Sequence, residues 1–315
     1  MTMIMTWTGV VPAITTPFTA DGDVDHEFLA RHAPWMVDAG CTGIVALGSL
    51  GEGATLSVPE KLDVLRTLAL ALDGRAPLVA SIAALSTDEA CGLAREAAQI
   101  GCAGLMVLPP YVYSTDWREM HAHVSAVIAA TALPCMLYNN PIAYRTDFKP
   151  EHVEELAQAH DNLVAVKESS ADIRRIAAIR HRLGSRLHIL VGVDDVIVEG
   201  IAAGATGWVA GLANAMPAES VRLFDLAMRA NACDSATAAQ ARAAADALYA
   251  WFLPLLRLDT VPKFVQLIKL VQQQLGHGHE RVRAPRLVLA GDERAQTLAL
   301  IDAKLATRPA NDARA

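Results

Sequence analysis

Lys167 closes the run Asn162-Leu163-Val164-Ala165-Val166-Lys167, a short apolar strand that ends on an ammonium group. The chain carries only six lysines against 21 arginines, and the other lysines fall in stretches that read as helix or turn. A partly desolvated ammonium tends to release its proton, and the neutral amine can attack a carbonyl to form an imine. Taken alone, the residue also fits a snorkelling lysine at an ordinary strand end. Earlier in the chain, Met136-Leu137-Tyr138-Asn139-Asn140-Pro141 ends another apolar strand on a phenol. A lysine and a tyrosine on adjacent strand ends can share one carbonyl substrate, the amine forming the imine and the phenol moving protons. A third turn, Gly48-Ser49-Leu50-Gly51-Glu52-Gly53, offers backbone N–H groups to an anion and a hydroxyl from Ser49.

The elements that must position these groups come from a weak internal repeat. Ala39-Gly40-Cys41-Thr42-Gly43-Ile44-Val45-Ala46-Leu47 returns as Ile100-Gly101-Cys102-Ala103-Gly104-Leu105-Met106-Val107-Leu108, and again as Ala203-Gly204-Ala205-Thr206-Gly207-Trp208-Val209-Ala210. Each copy reads as a helix ending on a positive-φ glycine, a tight turn and a short buried strand. Further apolar runs at Val10–Thr16, Leu78–Ile82, Pro134–Tyr138, Leu163–Lys167 and His188–Val191 bring the strands to eight. Amphipathic stretches such as Pro59–Leu72, Thr87–Ile100 and Pro150–Ala159 alternate with them. The expected fold is an α/β (β/α)₈ barrel over residues 1–225, with a doubly wound sheet as the alternative. Residues 226–315 are expected to be a C-terminal helical extension of the same domain. Pro217–Ala230, Ser235–Phe252 and Lys263–Leu275 read as helices, with breaks at Pro254 and Pro262. From Ala284 the tail reads as a short helix and a frayed end.

Composition narrows the function classes. The chain has 315 residues, 53% hydrophobic and 19% charged, with a net charge of −7. That balance argues against nucleic acid or an anionic membrane as a partner. Nothing has the length of a membrane span, and Met1–Thr8 is too short and too weakly basic for a signal peptide. The five cysteines, Cys41, Cys91, Cys102, Cys135 and Cys233, are scattered without a C-x-x-C and read as small buried residues of a reduced, cytoplasmic protein.

The three turns together resemble those of the dihydrodipicolinate synthase/N-acetylneuraminate lyase family, in the same order and over essentially the whole chain. The resemblance implies a (β/α)₈ barrel and Schiff-base chemistry on 2-oxo acids. It implies no metal and no coenzyme beyond the covalent imine, and a homodimer or homotetramer. Carried over to this sequence, Lys167 forms the imine, Tyr138 relays protons and Ser49 is its hydroxyl partner. The substrate is bound by Gly48, Ser49, Leu50 and Asn140, its carboxylate on the amides around Ser49 and Leu50. Gly192 and Gly211, at the ends of strands seven and eight, leave it room.

Departures from the synthase pattern point to a branch. Leu50 stands where the synthases have a second threonine, and Ala143 where they have a carboxylate-binding arginine, with Arg145 two positions on behind Tyr144. Pro110-Tyr111-Val112-Tyr113 replaces a Tyr-Tyr pair, which puts an inter-subunit relay through Tyr111 or Tyr113 in question. The segments 139–144, 167–175, 258–263 and 282–287 resemble the 1-pyrroline-4-hydroxy-2-carboxylate deaminases of hydroxyproline breakdown, which yield 2,5-dioxopentanoate and ammonia. On that reading the small-molecule partner is a cyclic imino acid. A 2-keto-3-deoxy sugar-acid aldolase or dehydratase, the synthase itself, and a keto-acid-binding sensor without turnover are the alternatives.

Other residues attract less. His121, His123, His277 and His279 lack zinc-pair spacing and read as surface histidines. Asp194 and Asp195 either bind substrate hydroxyls or cap the next helix. Glu52 is expected to fix the glycine loop, and Trp117, Trp208 and Trp251 to pack.

Overall fold

A computed structural model describes residues 5–110, 116–232 and 235–309. Eight strands form one parallel sheet: β1 (Gly9–Pro12), β2 (Ile44–Ala46), β3 (Leu78–Ile82), β4 (Gly104–Val107), β5 (Cys135–Asn139), β6 (Leu163–Glu168), β7 (His188–Val191) and β8 (Gly207–Ala210). Each pairs with its neighbour in sequence from β2 to β8, and β8 pairs with β1. The Ile14 amide donates to the Val45 carbonyl at 2.9 Å and Ala13 bridges Val45, which draws β1 against β2 and nearly closes the barrel. Strands covered on both faces must be apolar throughout; all residues of β2, β3, β4, β5 and β8 are buried.

The helix-glycine-strand repeat has the geometry its sequence predicts. Gly40, Gly101 and Gly204 take φ of 105°, 100° and 107°, values that cost an L side chain strain. Each lets the chain leave a helix and enter a buried strand within three residues. At the other end of the units, side chains cap the helices. Ser57 and Glu60 form a reciprocal capping box on Val58–Leu72, and Ser86 and Asp172 cap Thr87–Ile100 and Ile173–Leu183.

Helices continue after the barrel: Pro217–Ala230, Ser235–Leu256, Phe264–Gln274 and Gly291–Ala306. Pro254 does not break its helix as expected but lies inside it. It sits in the last turn, where a proline forfeits a single backbone bond, and the buried Phe252, Leu255 and Leu256 around it hold that turn in place. The tail helix spans 16 residues, longer than its weak apolar periodicity suggested, because Thr297 and Ile301 dock it against the rest of the chain. No helix among the described residues is long and apolar enough to cross a membrane.

Candidate active site

β5 and β6 pair in a register that sets Tyr138 directly opposite Lys167 and Asn139 opposite Glu168. Side chains alternate along a strand, so Tyr138 and Lys167 project to one side of the sheet and Asn139 and Glu168 to the other. The Lys167 ammonium lies 4.3 Å from the centre of the Tyr138 ring. Both residues are buried. On the opposite side, Asn139 donates to Glu168 at 3.0 Å and accepts from the Phe148 amide at 2.9 Å. Glu168 also accepts from the Ser170 amide at 2.7 Å, and burial pushes its carboxyl upward. Asp147 grips Arg175 through two guanidinium nitrogens. This lattice fixes the two strand ends against each other, which holds the amine and phenol in place.

The turn after β5 supplies a group that sequence reading passed over. Asn140 caps a one-turn helix, Pro141–Tyr144, by accepting from the Ala143 amide at 2.9 Å, and its amide nitrogen donates to the Tyr138 hydroxyl at 3.0 Å. The short helix folds Tyr144 back over the site. Its ring stands edge-on to Tyr138 at 5.8 Å, and its hydroxyl hydrogen-bonds Ser49. The only signal in the sequence was the Asn-Asn-Pro start of a helical turn, which says nothing of where the fourth helical residue reaches.

Ser49 comes from a sharply bent loop in which Leu47 and Glu52 both adopt positive φ. Gly53 permits the bend, since a Cβ there would sit 2.1 Å from the Leu47 carbonyl oxygen. The Ser49 and Leu50 amides donate to no atom among the described residues, so two N–H groups stand ready for an anion beside the Ser49 hydroxyl. Glu52 holds the loop from below. Its carboxylate takes the Lys269 ammonium and, at 3.1 Å, the Arg283 amide. Burial lowers the Lys269 ammonium to about 8 although Glu52 opposes the shift.

Gly192 and Gly211 make room for protein side chains rather than for empty space. A Cβ on Gly192 would lie 2.0 Å from Ser169 Oγ and 2.5 Å from Lys167 Cε. On Gly211 it would lie 2.1 Å from Asp259 Oδ1. Asp194 neither caps the helix that follows it nor stands free. It is buried and accepts from Trp208 Nε1 at 2.9 Å and from the Gly211 and Leu212 amides, which ties the ends of β7 and β8 together. Trp208 therefore adds a hydrogen bond to its packing.

Other expectations need adjustment. His123 is buried and bonds Thr87 at 3.0 Å, and the His277 ring packs tilted against Trp35 at 4.0 Å, so neither is a plain surface histidine. Cys91 is half-buried rather than buried. Tyr111, Tyr113 and Cys233 lie outside the described residues. Among the described residues no three potential metal ligands come together.

A parallel eight-stranded barrel with a buried lysine and a phenol facing each other at adjacent strand ends is an arrangement able to support imine chemistry on a carbonyl substrate. The profile of the Dihydrodipicolinate synthetase family matches residues 6–304, and the chain belongs to that family. Its members are lyases that form a Schiff base between a lysine and an oxo acid and need no external cofactor. The 4-hydroxy-tetrahydrodipicolinate synthase of Pelobacter propionicus is 33% identical over 217 residues, 69% of this chain and 74% of its own length. That of Natronomonas pharaonis is 35% identical over 224 residues, 71% of this chain and 76% of its own. Among solved structures, the chloride-inhibited dihydrodipicolinate synthase of Acinetobacter baumannii complexed with pyruvate has a TM-score of 0.86 at 26% identity, covering 95% of this chain and 99% of its own.

Proposed function

We propose that Lys167 forms an imine with its substrate, that Tyr138 moves the substrate protons with Ser49 and Tyr144 behind it, and that the Ser49 and Leu50 amides hold the substrate carboxylate. The observation that carries this assignment is the Lys167 ammonium lying 4.3 Å from the Tyr138 ring. A carbonyl carbon bound to the amine has the phenol within reach of the neighbouring carbon. The substrate we infer is 1-pyrroline-4-hydroxy-2-carboxylate. Lys167 attacks C2 and the ring nitrogen leaves as a primary amine on C5. Loss of a C3 proton gives an enamine, which expels the C4 hydroxyl. Proton shifts and hydrolysis then release ammonia and 2,5-dioxopentanoate.

The deaminase-like segments around Tyr138, Lys167 and Asp259 support this choice over the synthase. Ala143 and Arg145 are both exposed, and the Arg145 side chain makes no ion pair or hydrogen bond among the described residues. Position 143 itself, an alanine, offers no guanidinium to a second substrate's carboxylate. The synthase remains the second reading, favoured by the names of the curated relatives. We further take residues 226–315 as an extension of the barrel domain, and a homodimer or homotetramer in the cytoplasm as the working assembly.

The test is ammonia release from 1-pyrroline-4-hydroxy-2-carboxylate by wild type and Lys167→Ala. Release by the wild type alone supports both substrate and imine. No release, with condensation of pyruvate and aspartate semialdehyde instead, assigns the synthase.

A further inference from the structure

We propose that Asp259 is the acid that delivers a proton to the departing C4 hydroxyl; this rests on the deaminase reading above. Asp259 belongs to the helical segment after the barrel, in the 3₁₀ turn Arg257–Asp259. The turn is pinned in place. Arg257 pairs with Asp195 at 3.5 Å, Thr260 bonds back to the Arg257 carbonyl at 2.9 Å, and Leu258 is buried. The result is a carboxyl laid over the end of β8, in the space where any side chain at residue 211 would stand, with Oδ1 2.1 Å from that position and Oδ2 3.1 Å. The glycine is thus required by the aspartate, and the two residues form one device.

Three features mark this carboxyl as functional rather than structural. Asp194, on the other side of the Gly211 amide, is occupied by three N–H donors. Asp259 has no hydrogen bond or ion pair among the described residues. Its oxygens are not among the sealed-off polar atoms that lack a partner, so the carboxyl keeps an open side and a free hydrogen-bonding capacity for a ligand. Second, the charges it feels are those of the catalytic mouth: Asp194, Lys167 and Asp195. Third, burial and the Asp194 carboxylate push it well above the usual carboxylate range, and Lys167 only partly opposes them. Both influences favour the protonated carboxyl, the form an acid catalyst uses. A carboxyl that is partly exposed as a residue still has a route to the open mouth.

The step balances within the enamine. The C4–O bond breaks as the Asp259 proton passes to oxygen, and water leaves. The C2=C3 electron pair moves to C3=C4, and the enamine nitrogen restores the imine to Lys167. Asp259 remains as carboxylate and regains a proton from solvent. Tyr138, on β5, serves the C3 proton, so acid and base come from separate elements.

The experiment compares wild type with Asp259→Asn and Asp259→Ser in two assays. Borohydride trapping of the pyruvate adduct reports that Lys167 is intact and the barrel folded. Ammonia release from 1-pyrroline-4-hydroxy-2-carboxylate reports elimination. Elimination is expected to fall at least about 100-fold more than imine formation in both variants. Equal losses in the two assays, or ammonia release within about threefold of wild type, overturn the role of Asp259 while leaving the deaminase reading intact. Absence of ammonia release from the wild type overturns the deaminase reading, and the acid role with it.

Discussion

The Ser49 hydroxyl, at the end of the second barrel strand, hydrogen-bonds the Tyr144 hydroxyl across a sequence separation of 95 residues. Asn140 donates to Tyr138 and the two tyrosine rings stand edge-on, so the Ser49–Tyr144 pair packs against the phenol beside Lys167 within a single subunit. Tyr144→Phe removes the hydroxyl partner of Ser49 without touching the amine. We expect kcat to fall about 10- to 100-fold, below the 10²–10⁴ typical of a direct acid–base residue, with pyruvate trapping on Lys167 retained. Steady-state kinetics beside borohydride trapping checks this; an unchanged kcat would remove Tyr144 from the relay.

Gly192→Ala should disable the lysine while sparing the fold. Its methyl would meet Ser169 Oγ at 2.0 Å and Lys167 Cε at 2.5 Å, and both are side-chain atoms that can swing aside. The amine then leaves its place over Tyr138. Imine formation should slow about 100-fold, in line with the cost of a misplaced reacting group. Single-turnover trapping with pyruvate measures it, and a wild-type rate would show that the amine tolerates displacement.

Lys269→Met tests the clamp beneath the glycine loop. Lys269 and Glu52 are almost fully buried, at 2% and 0% side-chain exposure. Removing one partner strands the other charge, which typically costs about 3–5 kcal/mol. Chemical denaturation should show a loss of that order. A double variant with Glu52→Gln should lose less than the two single losses added together, as expected of groups in contact.

His32 makes the fold acid-sensitive. Burial, helped by the charge of His277, lowers its imidazole from 6.5 to about 3, and Gln272 contacts the ring nitrogen at 3.2 Å. The unfolded chain therefore binds more protons between those values. The stability His32 contributes is fully present above about pH 6.5 and is lost as pH falls toward about 3. From about pH 7 to about pH 5 the loss is about 2 kcal/mol. Urea unfolding across that range should give this slope in wild type and a shallower one in His32→Gln, whose amide cannot take up the proton. An identical slope would place the sensitivity elsewhere.

The barrel was legible because its signals are local. Helix-ending glycines, short apolar runs and capping residues act within a few positions, so β3, β7 and the helix Thr87–Ile100 fall on their expected bounds. The strand-end positions of Lys167 and Tyr138 were legible for a related reason: a charge or phenol ending an apolar strand contradicts its surroundings. The pairing of Tyr138 with Lys167 followed once consecutive strands were taken as neighbours, since a parallel barrel places consecutive strands side by side.

Which groups the strand ends meet follows from long-range packing. Nothing local in Pro141–Tyr144 says that Tyr144 turns back to Ser49, and nothing in Leu258-Asp259-Thr260 says that its carboxyl fills the space over Gly211. Gly192 and Gly211 read as openings for a ligand, yet the openings are taken by Lys167, Ser169 and Asp259. Such contacts join segments far apart in sequence through side-chain volume and charge, which no periodicity records. Local sequence signals were enough to place the barrel and a lysine at the end of its sixth strand; packing of the loops and the C-terminal turn onto the barrel mouth set what surrounds that lysine.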